Sequence, residues 1–210
     1  IALDPSNQDK HISYFIHTPG SNLGHAWASA TGGWTLAVAD GPDNVGRFSS
    51  VAVGGIGNTV HIAYYDSTNN ALKHAWANTA PLSNWSVEVV DSVGNTGQHN
   101  SIAVDPAVNP VGCRLHVSYY TPAGSGTLKH ACGTWDAANT QWQWTISEVS
   151  TNSAGMYSSI ALDSNGYPHI VYKRGVALEH AWATWNTTAQ QWDWNTEEVD
   201  SQGEHMSVAI

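Results

Sequence analysis

One phrase occurs four times along this chain and then opens a fifth copy. Ile1-Ala2-Leu3-Asp4, Ser50-Val51-Ala52-Val53, Ser101-Ile102-Ala103-Val104-Asp105, Ser159-Ile160-Ala161-Leu162-Asp163 and Ser207-Val208-Ala209-Ile210 are its versions. After each of the first four comes a second phrase: His11-Ile12-Ser13-Tyr14, His61-Ile62-Ala63-Tyr64, His116-Val117-Ser118-Tyr119 and His169-Ile170-Val171-Tyr172. A third follows, from Leu23 to Trp27, Leu72 to Trp76, Leu128 to Cys132 and Leu178 to Trp182, and a fourth opens at Trp34, Trp85, Trp144 and Trp194. Four short β-like phrases in one long unit describe a propeller blade.

The repeated serines stand 51, 58 and 48 residues apart, near the roughly 40 to 50 residues of known blade repeats. The expected fold is an all-β propeller of four-stranded antiparallel blades. The repeats are about 1–49, 50–100, 101–158 and 159–206, in a single domain, with 207–210 as the first strand of a fifth. The first phrase is apolar on both sides, as suits an innermost strand squeezed between blades. In repeat one the strands are expected at about 1–4, 11–16, 23–28 and 34–39. The extra length of repeat three is assigned to two loops, Pro106 to Arg114 and Gly133 to Gln141. A fifth opening phrase reads most naturally as a segment of a longer propeller, the alternative being a closed four-bladed ring.

Charge then narrows the partners. Seven Lys and Arg against 17 Asp and Glu give a formal charge of −10, which argues against nucleic acid and anionic membrane surfaces. No run reaches the ~18 apolar residues of a membrane span. The chain opens within a strand phrase, as expected of a mature product or an ordered core. Cys113 and Cys132 fall at one end of one hairpin and are expected to form a disulfide, contributing about 2 to 3 kcal/mol. That bond, with the sequons at Asn84 and Asn186, points to a secreted or cell-surface location.

Ser159 to Tyr172 closely resembles a repeat of secreted bacterial and archaeal proteins that reads roughly S-I-A-L-D-x-x-G-x-P-H-I-S-Y-Y-D, then L-K-x-A, then W-x-x-E-x-V-D. The chain departs from it at Gly54, where aspartate is expected, and at Cys132. The resemblance spans nearly the whole chain, implies the propeller fold and brings no catalytic residues with it. A weaker likeness, in architecture alone, is to sialidase-type and lectin-type propellers.

Three residue sets are candidates for function. Residues just before each innermost strand should ring the central mouth: Arg47, Phe48, Gln98, His99, Met156, Tyr157, Glu204 and His205. Each repeat places a large ring two positions before its serine, and concave mouths are default ligand sites. Trp135, Trp142, Trp185 and Trp192 lie in or beside the loops Gly133 to Gln141 and Ala183 to Gln191, where exposed rings would stack on sugars. Histidines recur in strands two and three, and a tight turn at Arg174-Gly175 would set His169 opposite His180. A position repeated in every blade reads as structural, so no metal or other cofactor is expected.

Enzyme chemistry finds little support. Arg47 and Arg174 belong to the mouth face and Arg114 to the opposite one, so they form no carboxylate-binding cluster. Asp4, Asp105 and Asp163 read as turn formers, and Glu204 lacks an evident carboxylate partner for glycoside cleavage. With no catalytic residues, the chain reads as a non-enzymatic recognition or structural module for protein or surface components, part of a larger chain or assembly. The alternative is a lectin-like propeller binding glycans, and a glycan-cleaving enzyme ranks third.

Overall fold

The computed structural model describes residues 1–17, 20–55, 58–78, 84–106 and 112–210. They form an all-β propeller of four blades, each a four-stranded antiparallel sheet whose strands are neighbours in chain order. Blade one holds β1 (Ala2–Leu3), β2 (Lys10–Ile16), β3 (Asn22–Ala28) and β4 (Thr35–Asp40). Blade two holds β5 (Val45–Gly54), β6 (Thr59–Asp66), β7 (Ala71–Asn78) and β8 (Ser86–Asp91). Blade three holds β9 (Gln98–Val104), β10 (Leu115–Thr121), β11 (Thr127–Asp136) and β12 (Gln141–Ser150). Blade four holds β13 (Ala154–Leu162), β14 (Pro168–Arg174), β15 (Ala177–Asn186) and β16 (Gln191–Asp200). Among the described residues, no helix is long and apolar enough to cross a membrane.

Two expectations about loops change. Gly133 to Gln141 is a pair of strands extended by a turn, not a loop. β11 continues to Asp136, Trp135 pairs with Trp142 across the ladder, and only four residues turn the chain. Ala183 to Gln191 repeats the device, with Trp185 opposite Trp192. Cross-strand aromatic pairs stabilise such extensions. Asp136 and Asn186 close the two turns by accepting backbone N–H groups two and three residues on. Within the other expected loop, Pro106 to Arg114, residues 107–111 lie outside the described residues. Cys113 and Cys132 are disulfide-bonded with Cα atoms 5.5 Å apart, and Cys132 sits within β11 opposite His116.

Each blade meets the next through the same small set of contacts. A left-handed glycine passes beneath a leucine of the preceding blade's third strand. A Cβ on Gly46, Gly97 or Gly155 would stand 2.7, 2.7 or 2.9 Å from the Cα of Leu23, Leu72 or Leu128. Four residues later comes the repeated serine, whose hydroxyl accepts the N–H of the next innermost strand. Ser50 takes Ile102 at 3.2 Å, and Ser101 takes Ile160 at 3.3 Å. Buried tyrosines of the second strands reach back to the previous blade: Tyr64 donates to Asp40 at 2.6 Å and Tyr119 to Asp91 at 2.9 Å. Lys73 and Lys129 join the same two carboxylates. At the third junction, Ser150 and Glu179 stand where aspartate and lysine would be, and Tyr172 donates to Glu179 instead.

Among the described residues, the fifth phrase pairs in no ladder. It is nonetheless held as an innermost strand would be. Val208 N–H donates to Ser159 at 3.2 Å, repeating the serine bond, and Gly203 lies over Leu178 as the earlier glycines lie over theirs. Among the described residues, no strand of blade one makes an extensive contact with a strand of blade four.

Gly97→Ala should be strongly destabilising, because a methyl there meets the Leu72 backbone and adopts φ of +106°. We expect a loss of at least ~2 kcal/mol in urea unfolding. Gly33→Ala, where nothing lies within 4 Å, should change stability little. Equal effects at the two sites would show that the junction is loose.

Candidate functional site

Each innermost strand of blades two to four bends at a β-bulge just after its glycine. Arg47 pairs with Tyr65 and Ser50 with Ala63, so Phe48 and Ser49 together oppose Tyr64. The same two-against-one arrangement sits at His99-Asn100 and at Tyr157-Ser158. The first residue of each bulge has left-handed backbone: φ is 53° at Phe48, 48° at His99 and 55° at Tyr157. His205, ahead of the fifth phrase, has φ of 56°. Bulky side chains adopt this conformation rarely, at a cost of order 1 kcal/mol or more each.

The bulges bring the four rings into one row. Phe48 and His99 have centroids 4.5 Å apart, His99 and Tyr157 4.7 Å, and Tyr157 and His205 4.3 Å. With Ser49, Asn100, Ser158 and Met206 they line an open depression of about 310 Å³. Phe48 is 42% exposed. The Ser158 hydroxyl donates to the His99 carbonyl at 2.7 Å, tying neighbouring bulges together. Asn100 is buried; its amide donates to the Gly97 carbonyl at 2.9 Å, while its Oδ1 has no hydrogen-bond partner. Burial and then the neighbouring His205 charge lower the His99 pKa, so its ring is neutral at pH 7.

Arg47, Gln98 and Glu204 do not line the depression, because adjacent residues on a strand face opposite ways. The Arg47 guanidinium lies 5.1 Å from the centre of the Phe15 ring. Glu204 pairs with Lys173, which holds its carboxyl below the usual range. Ser49, Asn100, Ser158 and Met206, the second residue of each bulge, went unread in the sequence. A glycine four places before every repeated serine was the available signal for the bulge.

The four tryptophans take a different place from exposed loop rings. Trp142 packs edge-on against His61 with centroids 5.3 Å apart, and buried Trp192 packs against His116 at 5.7 Å. Trp135 and Trp185 are half-buried against them at 5.3 and 5.4 Å. Because the hairpins extend as strands, these rings fold over the preceding blade. A groove of about 340 Å³ remains between β12 and the tip of β15–β16, with Glu148, Trp185, Gln190 and Trp192 in its walls.

The histidines form one contact in every blade. Strand-two Nδ1 meets strand-three Nε2 at 3.2 Å in His11–His25, 3.1 Å in His61–His74, 3.0 Å in His116–His130 and 3.0 Å in His169–His180. The contact is diagonal. His169 stands opposite Trp182 and Val171 opposite His180, because the two-residue turn is Gly175-Val176, closed by Arg174 and Ala177, and not Arg174-Gly175. Trp85, Trp144 and Trp194 of the following blades pack edge-on against His25, His74 and His130 at 5.1, 5.3 and 5.2 Å. Glu88 links this layer across blades, accepting from Trp144 Nε1 at 2.8 Å beside His74 Nδ1 at 3.1 Å. Burial raises the Glu88 pKa to about 7 despite the Trp144 bond. Among the described residues, no cluster of three or more His, Cys, Asp or Glu side chains is placed to hold a metal ion.

The fold is shared with sialidase structures. A mutant of NanB sialidase from Streptococcus pneumoniae superposes with a TM-score of 0.58 at 17% identity, over 83% of this chain and 27% of that one. A second structure, of NanB plus Optactamide, gives a TM-score of 0.58 at 17% identity over 83% of this chain and 26% of that one. The chain therefore spans about a quarter of the length of these neighbours. No protein-family model matches the chain, and no curated protein does.

Burial lowers the pKa of His25 to about 4 and of His74 and His116 to about 3, against 6.5 unperturbed. These rings stay neutral in the fold while their unfolded counterparts protonate. Their contribution is complete above pH 6.5 and lost as pH falls from there toward the folded values. Each costs up to about 1.4 kcal/mol per pH unit in that window. Urea midpoints should therefore fall between pH 6.5 and 4, with Glu88, whose raised pKa makes it take up its proton in the fold over the same window, offsetting about one of these rings. A flat profile over that window would contradict the burial of these pairs.

Proposed function

We propose that the chain is an exported, non-enzymatic recognition module that binds protein or cell-surface components through the depression lined by Phe48, His99, Tyr157 and His205. The ring row carries this reading. Four large side chains stand on left-handed backbone at equivalent positions, facing one open depression. Strained backbone of this kind clusters where a side chain must be presented. The unpartnered Asn100 Oδ1 supplies a buried acceptor beside the rings. The disulfide supports an oxidising compartment.

The placement of charge favours binding over bond cleavage. Arg174 is engaged by Glu179 at 2.6 Å and Arg47 lies over Phe15, away from it. Glu204, which does not line the depression, is paired with Lys173. Asp4 and Asp163 are occupied in turns, accepting backbone N–H groups from Ser6 at 2.7 Å and Asn165 at 2.8 Å.

A lectin-like reading ranks second. Apolar ring faces beside a buried acceptor suit a sugar, which offers C–H surface and hydroxyl donors. Binding of tagged protein to a glycan array and to extracted cell-surface proteins separates the two readings. For either, the double variant His99→Ala, Tyr157→Ala should lose at least ten-fold in affinity (about 1.4 kcal/mol). Binding fully retained by the double variant would remove the depression from the interaction.

A further inference from the structure

Blade three departs from the others at one position of its third strand. Opposite the first histidine of strand two stand Trp27, Trp76 and Trp182 in blades one, two and four, but Cys132 in blade three. In blades two and four that indole stacks on the histidine of its own strand, with centroids 5.1 Å apart. Cys132 is far smaller, and its disulfide to Cys113 does not refill the space. A cavity of about 210 Å³ lies there. Cys132, Thr134 and Thr145 of blade three line one side of it, and Trp185, Gln190 and Trp192 of the blade-four hairpin line the other. It adjoins the groove of about 340 Å³ along β12, with which it shares Thr145, Trp185, Gln190 and Trp192. Joined, the two fall within the roughly 300 to 1,000 Å³ of small-ligand sites. They share no residue with the depression under the ring row.

The long polar side chains of the groove offer acceptors. Gln190 donates its amide N–H to the Thr187 carbonyl at 2.6 Å, and Gln191 donates its own to Asp193 at 3.1 Å. Each keeps its amide oxygen as a free acceptor. The Glu148 side chain is exposed and makes no hydrogen bond or ion pair with the described residues. The hairpin tip that carries the two glutamines is braced from within. Asn186 donates to Asp193 at 2.8 Å and accepts the N–H groups of Thr188 and Ala189. Trp185 supplies the apolar surface: it is half-buried, packs edge-on against Trp192 at 5.4 Å and lines both cavities.

From these groups we infer that the cleft between blades three and four is a second binding site, for a neutral sugar residue of a glycan. Three acceptors beside one indole suit a ligand with several donors on an apolar frame. A pyranose has both: hydroxyls around its rim, and C–H groups on its faces that are drawn to the electron-rich face of an indole. Acidic sugars are disfavoured, because Glu148 places an unpaired carboxylate in the wall of a chain with a formal charge of −10. A basic side chain would satisfy Glu148 and leave the two glutamines unused, so the sugar is the better match. Cys132 makes the room, which gives the departure of blade three from the repeat a consequence for binding.

Titration of the chain on an array of neutral and sialylated glycans tests this. The chain should bind neutral glycans in preference to sialylated ones. Trp185→Ala should weaken that binding about ten-fold. Glu148→Ala removes an exposed side chain without disturbing the fold and should weaken it about three-fold. The double variant His99→Ala, Tyr157→Ala should bind neutral glycans as the parent does, whatever the depression binds. The inference is overturned if no neutral glycan binds, if sialylated glycans are preferred, or if both cleft variants bind like the parent. Binding lost in the double variant and kept by Trp185→Ala would also overturn it, by placing the sugar in the depression and leaving the reading of that site intact.

Discussion

Everything in this fold depends on how closely one blade can approach the next, and glycine sets that distance. Gly46, Gly97 and Gly155 let the incoming strand lie against a leucine backbone of the preceding blade, where any side chain would collide. Two residues later the strand bulges, and the bulge delivers a large ring to the shared depression. The serine bond and the tyrosine–aspartate contact then lock the approach at the two ends of the strand pair. Stability and site thus share one origin. The close approach that buries Tyr64 and Tyr119 also lines up Phe48, His99, Tyr157 and His205.

Most of the strand plan was legible in the sequence because period-two patterning and turn residues agree with it. Strands expected at 11–16 and 23–28 are found at Lys10–Ile16 and Asn22–Ala28. The rings two places before each serine were legible as a set, since they share one spacing from an innermost strand, and they stand in one row. Their backbone was not. Left-handed conformation is ordinarily read from glycine or asparagine, and nothing in Phe48 or Tyr157 announces it. The hairpins bearing Trp135 and Trp185 were mistaken for loops because their turns hold only four residues between long polar stretches. What decides there is the cross-strand tryptophan pair, a contact visible only once the register is known.

Local exceptions in the repeat have structural meaning. At the junction of blades three and four, aspartate and lysine are both replaced, by Ser150 and Glu179. The replacement is coupled: Glu179 takes the tyrosine hydroxyl and pairs with Arg174 in its own blade. Blade one has Ala37 opposite His25, where blade two has Glu88 opposite His74. Accordingly Trp85 Nε1 and His25 Nδ1 lack partners, whereas Trp144 and His74 meet at Glu88. The histidine–tryptophan layer therefore tolerates loss of its carboxylate, which marks ring packing as the common element of the junctions.

Whether the ring row presents itself to a ligand or plugs the mouth is settled most directly by replacing the rings with the residue their backbone favours. Phe48→Gly, His99→Gly and Tyr157→Gly relieve the left-handed conformation while removing the side chain. If the rings serve recognition, urea midpoints of the three variants should equal or exceed that of the parent, since relief of strain worth about 1 kcal/mol offsets the lost contacts. A loss of ~2 kcal/mol or more at each position would mean that the rings are packing, and the mouth would then be a plug.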